Sequence, residues 1–125
     1  MDSLFEIGDE VQELVPEDFD DKGRLHKSKY KKGVTILMIY APWCGHCHHT
    51  KPELVYLAHL FNPSKVRFTA LNGDAHRSFC THLESCIRGF HVDGFPTLVK
   101  FRRGKYQETY QGSRDRASLF QFLSS

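Results

Sequence analysis

The sequence predicts a single α/β domain in which a central mixed sheet is flanked by helices. Three observations carry that expectation. The chain has 125 residues, 40% of them hydrophobic and 13% aromatic, which suffices for one modest core and not for two. The run "VTILMIY" from Val34 is continuously apolar and rich in β-branched side chains, the pattern of a strand buried on both faces. Around it, segments with helical spacing alternate with shorter strand-like runs in the order β, α, β, α, β, β, α, with no internal repeat and no low-complexity stretch.

Each element has its own signal. "VQELV" before Pro16 is a short strand, and the polar stretch after it, with Gly23 and a run of lysines, is a loop or short helix. "VTILMIY" is the central strand. Leu54, Leu57, Ala58 and Phe61 recur at helical spacing; Pro52 comes early enough to kink that helix without ending it, and Asn62 and Pro63 stop it. "VRFTAL" is a strand and "SFCTHLESCIRGF" a helix. "TLVKF" and "YQETY" form a hairpin around Arg103 and Gly104, and "DRASLFQFL" is a terminal helix.

The charge is unevenly spread. Nine acidic side chains and no Lys or Arg precede Lys22, so the rest of the chain holds 17 basic against six acidic residues. We divide the chain into an acidic N-terminal segment, residues 1–10, and a domain over residues 11–125; the acidic start is either solvated or laid over basic surface elsewhere. The basic excess is scattered, with only "KYKK" and "FRRGK" as clusters and no interleaved aromatic platform, so no nucleic-acid partner is expected. No apolar run approaches the roughly 20 residues of a membrane-spanning helix. The first residues lack the basic-then-apolar layout of a signal peptide, and a soluble chain is expected.

Chemistry concentrates in "YAPWCGHCHH", Tyr40 to His49. Cys44 and Cys47 fall where the central strand gives way to a helix. A thiol at a helix N-terminus meets unpaired backbone N–H groups and the positive end of the macrodipole, both of which favour the thiolate. Cys44 is therefore expected to be acidic and nucleophilic. Cys47, one turn further in, is expected to be buried and protonated until needed, a resolving thiol. His46 between them places a positive charge near the Cys44 sulfur, which stabilises the reduced form and makes the disulfide a better oxidant.

"YAPWCGHC", followed by "GFPT" and then by "YQGSR", resembles the catalytic thioredoxin-like domain of the protein disulfide isomerase family, over roughly Val11 to Leu123. The resemblance implies a thioredoxin fold and a thiol–disulfide oxidoreductase that oxidises or isomerises protein disulfides through a mixed disulfide. It implies a cis peptide bond at Pro96 facing the cysteine pair, with the backbone at Phe95 holding an extended substrate segment. Trp43 and Gly45 beside Cys44 then contact substrate, and Arg114 swings toward Cys47 to lower its pKa. Implied partners are protein substrates with thiols or disulfides and an upstream oxidant or reductant. The implied place is the endoplasmic reticulum lumen or another secretory compartment. No dissociable cofactor and no metal are expected beyond the redox-active Cys44–Cys47 pair.

Two departures from that pattern stand out. Family members usually carry a buried glutamate six residues before the first cysteine and a lysine on the next strand; here Met38 and Ala70 stand there. Losing both partners leaves a plain apolar core, whereas losing one strands a buried charge. The second departure is His48 and His49, where a lysine commonly follows the second cysteine.

Rival chemistries need residues from elsewhere. "CGHCH" satisfies the Cys-x-x-Cys-His haem attachment pattern with His48 as an axial ligand, but the methionines available as a second ligand are Met1 and Met38, the latter in a buried strand. Zinc is the alternative, with the fold serving as a binding module and four ligands drawn from Cys44, Cys47, His48, His49, Cys80 and Cys86. The six-residue spacing of Cys80 and Cys86 is wider than a zinc pair prefers. In a regular helix those two lie about 9 Å apart at 1.5 Å per residue, beyond the roughly 7 Å that a disulfide bridges. Either the helix breaks and they are bridged, or both stay free.

Overall fold

A computed structural model describes residues 3–125. Strands β1 (Val11–Leu14), β2 (Val34–Tyr40), β3 (Val66–Asn72), β4 (Thr97–Arg102) and β5 (Lys105–Thr109) form one sheet in the order β1-β3-β2-β4-β5. β3 runs parallel to both β1 and β2, while β4 is antiparallel to β2 and to β5. This is the mixed sheet of the thioredoxin fold. All seven residues of β2 are buried, because the strand is central and covered on both faces, as its unbroken apolar run requires.

Helix α1 (Gly45–Ala58) and helix α3 (Arg116–Ser124) cover one face, and helix α2 (Arg77–Cys86) covers the other. On the first face Ile36, Met38 and Tyr40 of β2 pack with Leu54 and Leu57 of α1 and with Leu119, Phe122 and Leu123 of α3. On the second, Leu37 and Ile39 meet Leu83 of α2 and Phe101 of β4. Alternate residues of one strand thus feed two cores.

Boundaries differ in instructive ways. α1 ends at Ala58, short of Phe61, although Phe61 still packs, its ring 6.1 Å from Phe68 and 5.7 Å from Phe120. α2 ends at Cys86; Gly89 takes φ +82, and Phe90 re-enters the second core from outside the helix. The β4–β5 turn is the one the sequence predicts, with Arg103 at φ 54 and Gly104 at φ 82, the paired positive values of a type I′ hairpin.

The acidic start packs onto the domain. Leu4 and Phe5 are buried in the α1/α3 core, and the Phe5 ring stands edge-on to Tyr40 at 6.0 Å. Lys51 of α1 approaches Glu6 at 3.9 Å and Asp9 at 3.7 Å. Burying two such apolar side chains contributes about 1.5–3 kcal/mol each, more than exposed ion pairs usually supply.

Candidate active site

β2 ends at Tyr40, the chain turns through Ala41, Pro42 and Trp43, and α1 begins with Cys44 as its N-cap residue. The turn closes with the Cys44 N–H donating to the Ala41 carbonyl at 3.1 Å, and the Cys44 carbonyl accepts from the N–H groups of Cys47 and His48 at 3.1 and 3.2 Å. The Cys44 side chain is thereby held over the open end of a 14-residue helix, where first-turn N–H groups lack intrahelical acceptors.

The electrostatics of the two thiols diverge. Partial burial acts to raise the Cys44 pKa, but hydrogen bonds from the Cys47 backbone and side chain and from the His46 backbone, with the charge of Arg114, outweigh it and hold the thiol below its ordinary value. Cys47 has no exposed surface. Burial pushes its thiol up to about 12, with the bond from Cys44 and that residue's charge adding to the rise, while the Ala41 N–H and Arg114 act the other way. Of the two thiols Cys44 is the more readily ionised, and Cys47 keeps its proton at neutral pH.

Opposite the pair lies the loop before β4. The Phe95–Pro96 peptide bond is cis, and the Cys44 thiol donates to the Phe95 carbonyl at 3.4 Å. The Phe95 ring lies edge-on to Trp43 at 6.0 Å. It also rests on Gly73, where a Cβ would come within 2.6 Å of the ring, so that position needs the missing side chain. Trp43 is 65% exposed, and Gly45 has open space above its Cα. Trp43 and Gly45 thus flank Cys44 with exposed surface, the partly buried Phe95 meets its sulfur through the backbone carbonyl, and Pro96 behind it is buried. His46 is exposed beside them, its carbonyl taken by the Thr50 hydroxyl at 2.9 Å. Arg114 is exposed in the loop between β5 and α3, close enough for its charge to act on both thiols.

Met38 and Ala70, matched across strands by their apolar surroundings, are direct partners in the β2–β3 register and both fully buried. The slot beneath α1 is apolar on both strands.

Sequence reasoning missed three contacts. The His48 ring Nε2–H donates to the Pro42 carbonyl at 2.7 Å, tying α1 to the turn that presents Cys44. Asp74 is held below the usual carboxylate range by hydrogen bonds from Arg77 and Trp43, which steadies the exposed indole. The Tyr40 hydroxyl bonds to both oxygens of the Glu13 carboxylate, each at 2.9 Å. These pairs are spaced by 6, 31 and 27 residues, so only the last two demand the tertiary fold, and a histidine one position after Cys47 was the single local signal.

The zinc set is not assembled. Cys44 and Cys47 belong to the core under α1, whereas Cys80 and the partly buried Cys86 belong to the core under α2, across the sheet. Among the described residues no group of three or more His, Cys, Asp or Glu side chains is placed to hold a metal ion. α2 is unbroken from Arg77 to Cys86, and all four cysteines are free.

Comparison with known proteins agrees with this fold. The thioredoxin family model matches residues 10–125. The chain is 38% identical over 95 residues to the protein disulfide-isomerase of Saccharomyces cerevisiae, covering 74% of this chain and 17% of that protein. It is 38% identical over 118 residues to the protein disulfide-isomerase tigA of Aspergillus niger, covering 91% and 29%. The chain spans less than a third of the length of these curated relatives. Among solved structures, the J-Trx1 fragment of ERdj5 superposes with a TM-score of 0.70 at 25% identity, covering 92% of this chain and 49% of that one. Human ERp44 form II superposes with a TM-score of 0.71 at 20% identity, covering 96% and 32%, a likeness of fold. The chain belongs to the thioredoxin family.

Proposed function

We propose that this member of the thioredoxin family is a thiol–disulfide oxidoreductase that exchanges disulfides with protein substrates through Cys44 and Cys47. The carrying observation is the split between the two thiols, Cys44 held down at the helix N-terminus and Cys47 pushed up to about 12 one turn below it. In the reducing direction the Cys44 thiolate attacks a substrate disulfide, forming a Cys44–substrate bond and releasing one substrate thiolate. Cys47, once ionised, attacks the Cys44 sulfur; the second substrate thiolate leaves, and the domain is left as the Cys44–Cys47 disulfide. The reverse sequence oxidises a substrate dithiol, and an upstream oxidant or reductant resets the pair. The two electrons reside in the dithiol, so no dissociable cofactor enters.

The remaining site residues take roles from their positions. Trp43 and the Phe95 ring offer an apolar face, Gly45 leaves room, and the backbone at Phe95 and Pro96 offers main-chain hydrogen bonds to an extended substrate segment. His46 and Arg114 favour the thiolates. Relatives named protein disulfide-isomerase support oxidation and isomerisation as the direction, and work of that kind belongs in the endoplasmic reticulum lumen or another secretory compartment. No helix among the described residues is long and apolar enough to cross a membrane.

The test is trapping. With Cys47→Ser, incubation with a disulfide-containing protein is expected to accumulate a covalent adduct at Cys44, resolved by added thiol and absent in Cys44→Ser. Failure of any adduct to form, with both variants folded, overturns the assignment.

A further inference from the structure

The two thiols are governed from different places. The donors that hold Cys44 down belong to α1, in the Cys47 backbone and side chain and the His46 backbone, with Arg114 acting from its loop. The backbone donor that favours an ionised Cys47 lies outside the helix: it is the Ala41 N–H, in the turn that leaves β2. Arg114 acts with it, while burial and Cys44 act against it. Cys47 has no exposed surface, so an N–H directed at its sulfur stands in for the hydration that a buried thiolate lacks. Whatever holds that turn in place therefore bears on the second thiol more than on the first.

The turn is Ala41-Pro42-Trp43-Cys44, closed by the Cys44 N–H on the Ala41 carbonyl at 3.1 Å. Such a turn leaves its central carbonyl, here that of Pro42, outside its own hydrogen bond, and among the described residues no backbone N–H donates to it. A side chain does. The His48 Nε2–H donates to the Pro42 carbonyl at 2.7 Å, and the His48 backbone N–H donates to the Cys44 carbonyl at 3.2 Å. One residue in the first turn of α1 thus grips both the middle and the end of the preceding turn. His48 is four residues after Cys44, the spacing at which a helical side chain leans back over the turn before it. The Nε2 proton is present in the imidazolium and in the neutral ring protonated on Nε2, so the grip does not depend on the ring's charge. The ring is also exposed. Water could serve both partners if they parted, so the bond fixes an orientation and does not rescue a buried polar group.

We propose that His48 is a positioning residue for the resolving step: by holding the Pro42 carbonyl it keeps the Ala41 N–H directed at the Cys47 sulfur. The inference rests on the redox function proposed above. In that step Cys47 gives its proton to solvent and its thiolate bonds to the Cys44 sulfur. The Cys44–substrate bond breaks, and the substrate sulfur leaves with the electron pair. The Ala41 N–H supports the negative charge on Cys47 before it attacks. Cys44 needs no such help for its own attack, because its backbone donors move with α1.

The test mixes the reduced full chain with a fluorescent cysteine-peptide disulfide at pH 7. The first phase reports attack by Cys44, and the second reports expulsion of the second peptide thiol by Cys47. His48→Ala is expected to slow the second phase about five-fold, to leave the first phase within about two-fold, and to leave unchanged the titration of Cys44 followed by thiolate absorbance. His48→Gln, whose amide N–H reaches about as far as the ring Nε2–H and carries no charge, is expected to restore the second phase to within about two-fold of the parent. A second phase in His48→Ala that matches the parent overturns the proposal. So does an equal slowing of both phases, the mark of a general loosening of the fold, and so does a His48→Gln no faster than His48→Ala. If His48→Ala does not fold, His48→Phe, which keeps a ring without the donor, is judged by the same criteria. Absence of the first phase in the parent refutes the redox function itself, a result distinct from these.

Discussion

Cys44 and Cys47 on α1 and Cys80 and Cys86 on α2 are the same chemical groups on the same kind of element, and their surroundings set them apart. The first pair is three residues apart, with Cys44 capping the helix and the two thiols in contact. The second pair is six apart. Cys80 faces the core, where burial pushes it up to about 11. Cys86 closes the C-terminal end, its sulfur 3.8 Å from the Leu83 carbonyl, and burial with the charges of Asp20 and Asp21 raises it. A helix N-terminus lowers a thiol's pKa and a C-terminus does not. Cys47 and Cys80 also lie in the N-terminal halves of their helices, yet burial keeps them protonated, so low pKa here needs the N-cap position together with partial exposure, and pairing follows the turn of the helix that separates two thiols.

Breaking the comparison at its strongest point, Cys44→Ser is expected to remove disulfide exchange down to the uncatalysed background, a loss of about a thousand-fold or more. Cys80→Ala combined with Cys86→Ser is expected to leave the rate within about two-fold in the same disulfide-exchange assay. Direct competition between the four thiols sharpens the contrast: at pH 7, limited alkylation followed by peptide mass mapping is expected to label Cys44 at least about a hundred-fold faster than Cys47 or Cys80. Similar labelling of Cys44 and Cys80 would contradict the proposed role of the helix N-terminus.

Stability offers a readout independent of turnover. Cys47 and Cys80 keep their protons in the folded chain to about 12 and about 11, whereas in the unfolded chain they ionise near 8.5. Their contribution is complete below 8.5 and is lost as pH rises, because above it the unfolded state sheds protons that the folded state retains. Denaturant unfolding of the reduced protein should therefore weaken from pH 8.5 to 10 by up to about 1.4 kcal/mol per pH unit for each thiol. Cys80→Ala is expected to remove about half of that slope, and oxidation of the Cys44–Cys47 pair much of the rest.

Smaller effects distinguish the elements around the first pair. Met38→Glu together with Ala70→Lys, which places a carboxylate and its partner in the apolar slot, is expected to speed release of a trapped mixed disulfide about three- to five-fold near neutral pH, provided the double variant folds. Arg114→Ala is expected to slow that release about two- to three-fold and to raise the pH at which Cys44 is alkylated. Because Arg114 is exposed, the effect should shrink in high salt.

Much of the fold was legible because periodicity reports burial. "VTILMIY" announces a strand covered on both sides, and Arg103 with Gly104 announces a turn. The helix ends were less legible, since Phe61 and Phe90 continue the apolar pattern from outside their helices: a side chain needs only to reach the core, not to remain helical. Leu4 and Phe5 were hidden in a segment whose acidic character left open solvent or a basic surface, and did not announce an apolar anchor. Glu13 looked like an ordinary charge on an edge strand, because its partner lies 27 residues away and two strands over.

By itself the sequence determined the dithiol, its place at a strand-to-helix junction and the order of elements, all of which follow from local spacing and side-chain type. The resemblance already implied that the Phe95–Pro96 segment faces Cys44 and that Met38 and Ala70 occupy partnered positions; only the tertiary structure decided that the contact is the Phe95 carbonyl, across 51 residues, that the two cysteine pairs lie under different faces of the sheet, and that Tyr40 links the buried face beneath α1 to a carboxylate at the sheet edge. Those relations depend on strand order and register, which arise from packing the whole core at once and leave no mark in any short stretch of chain.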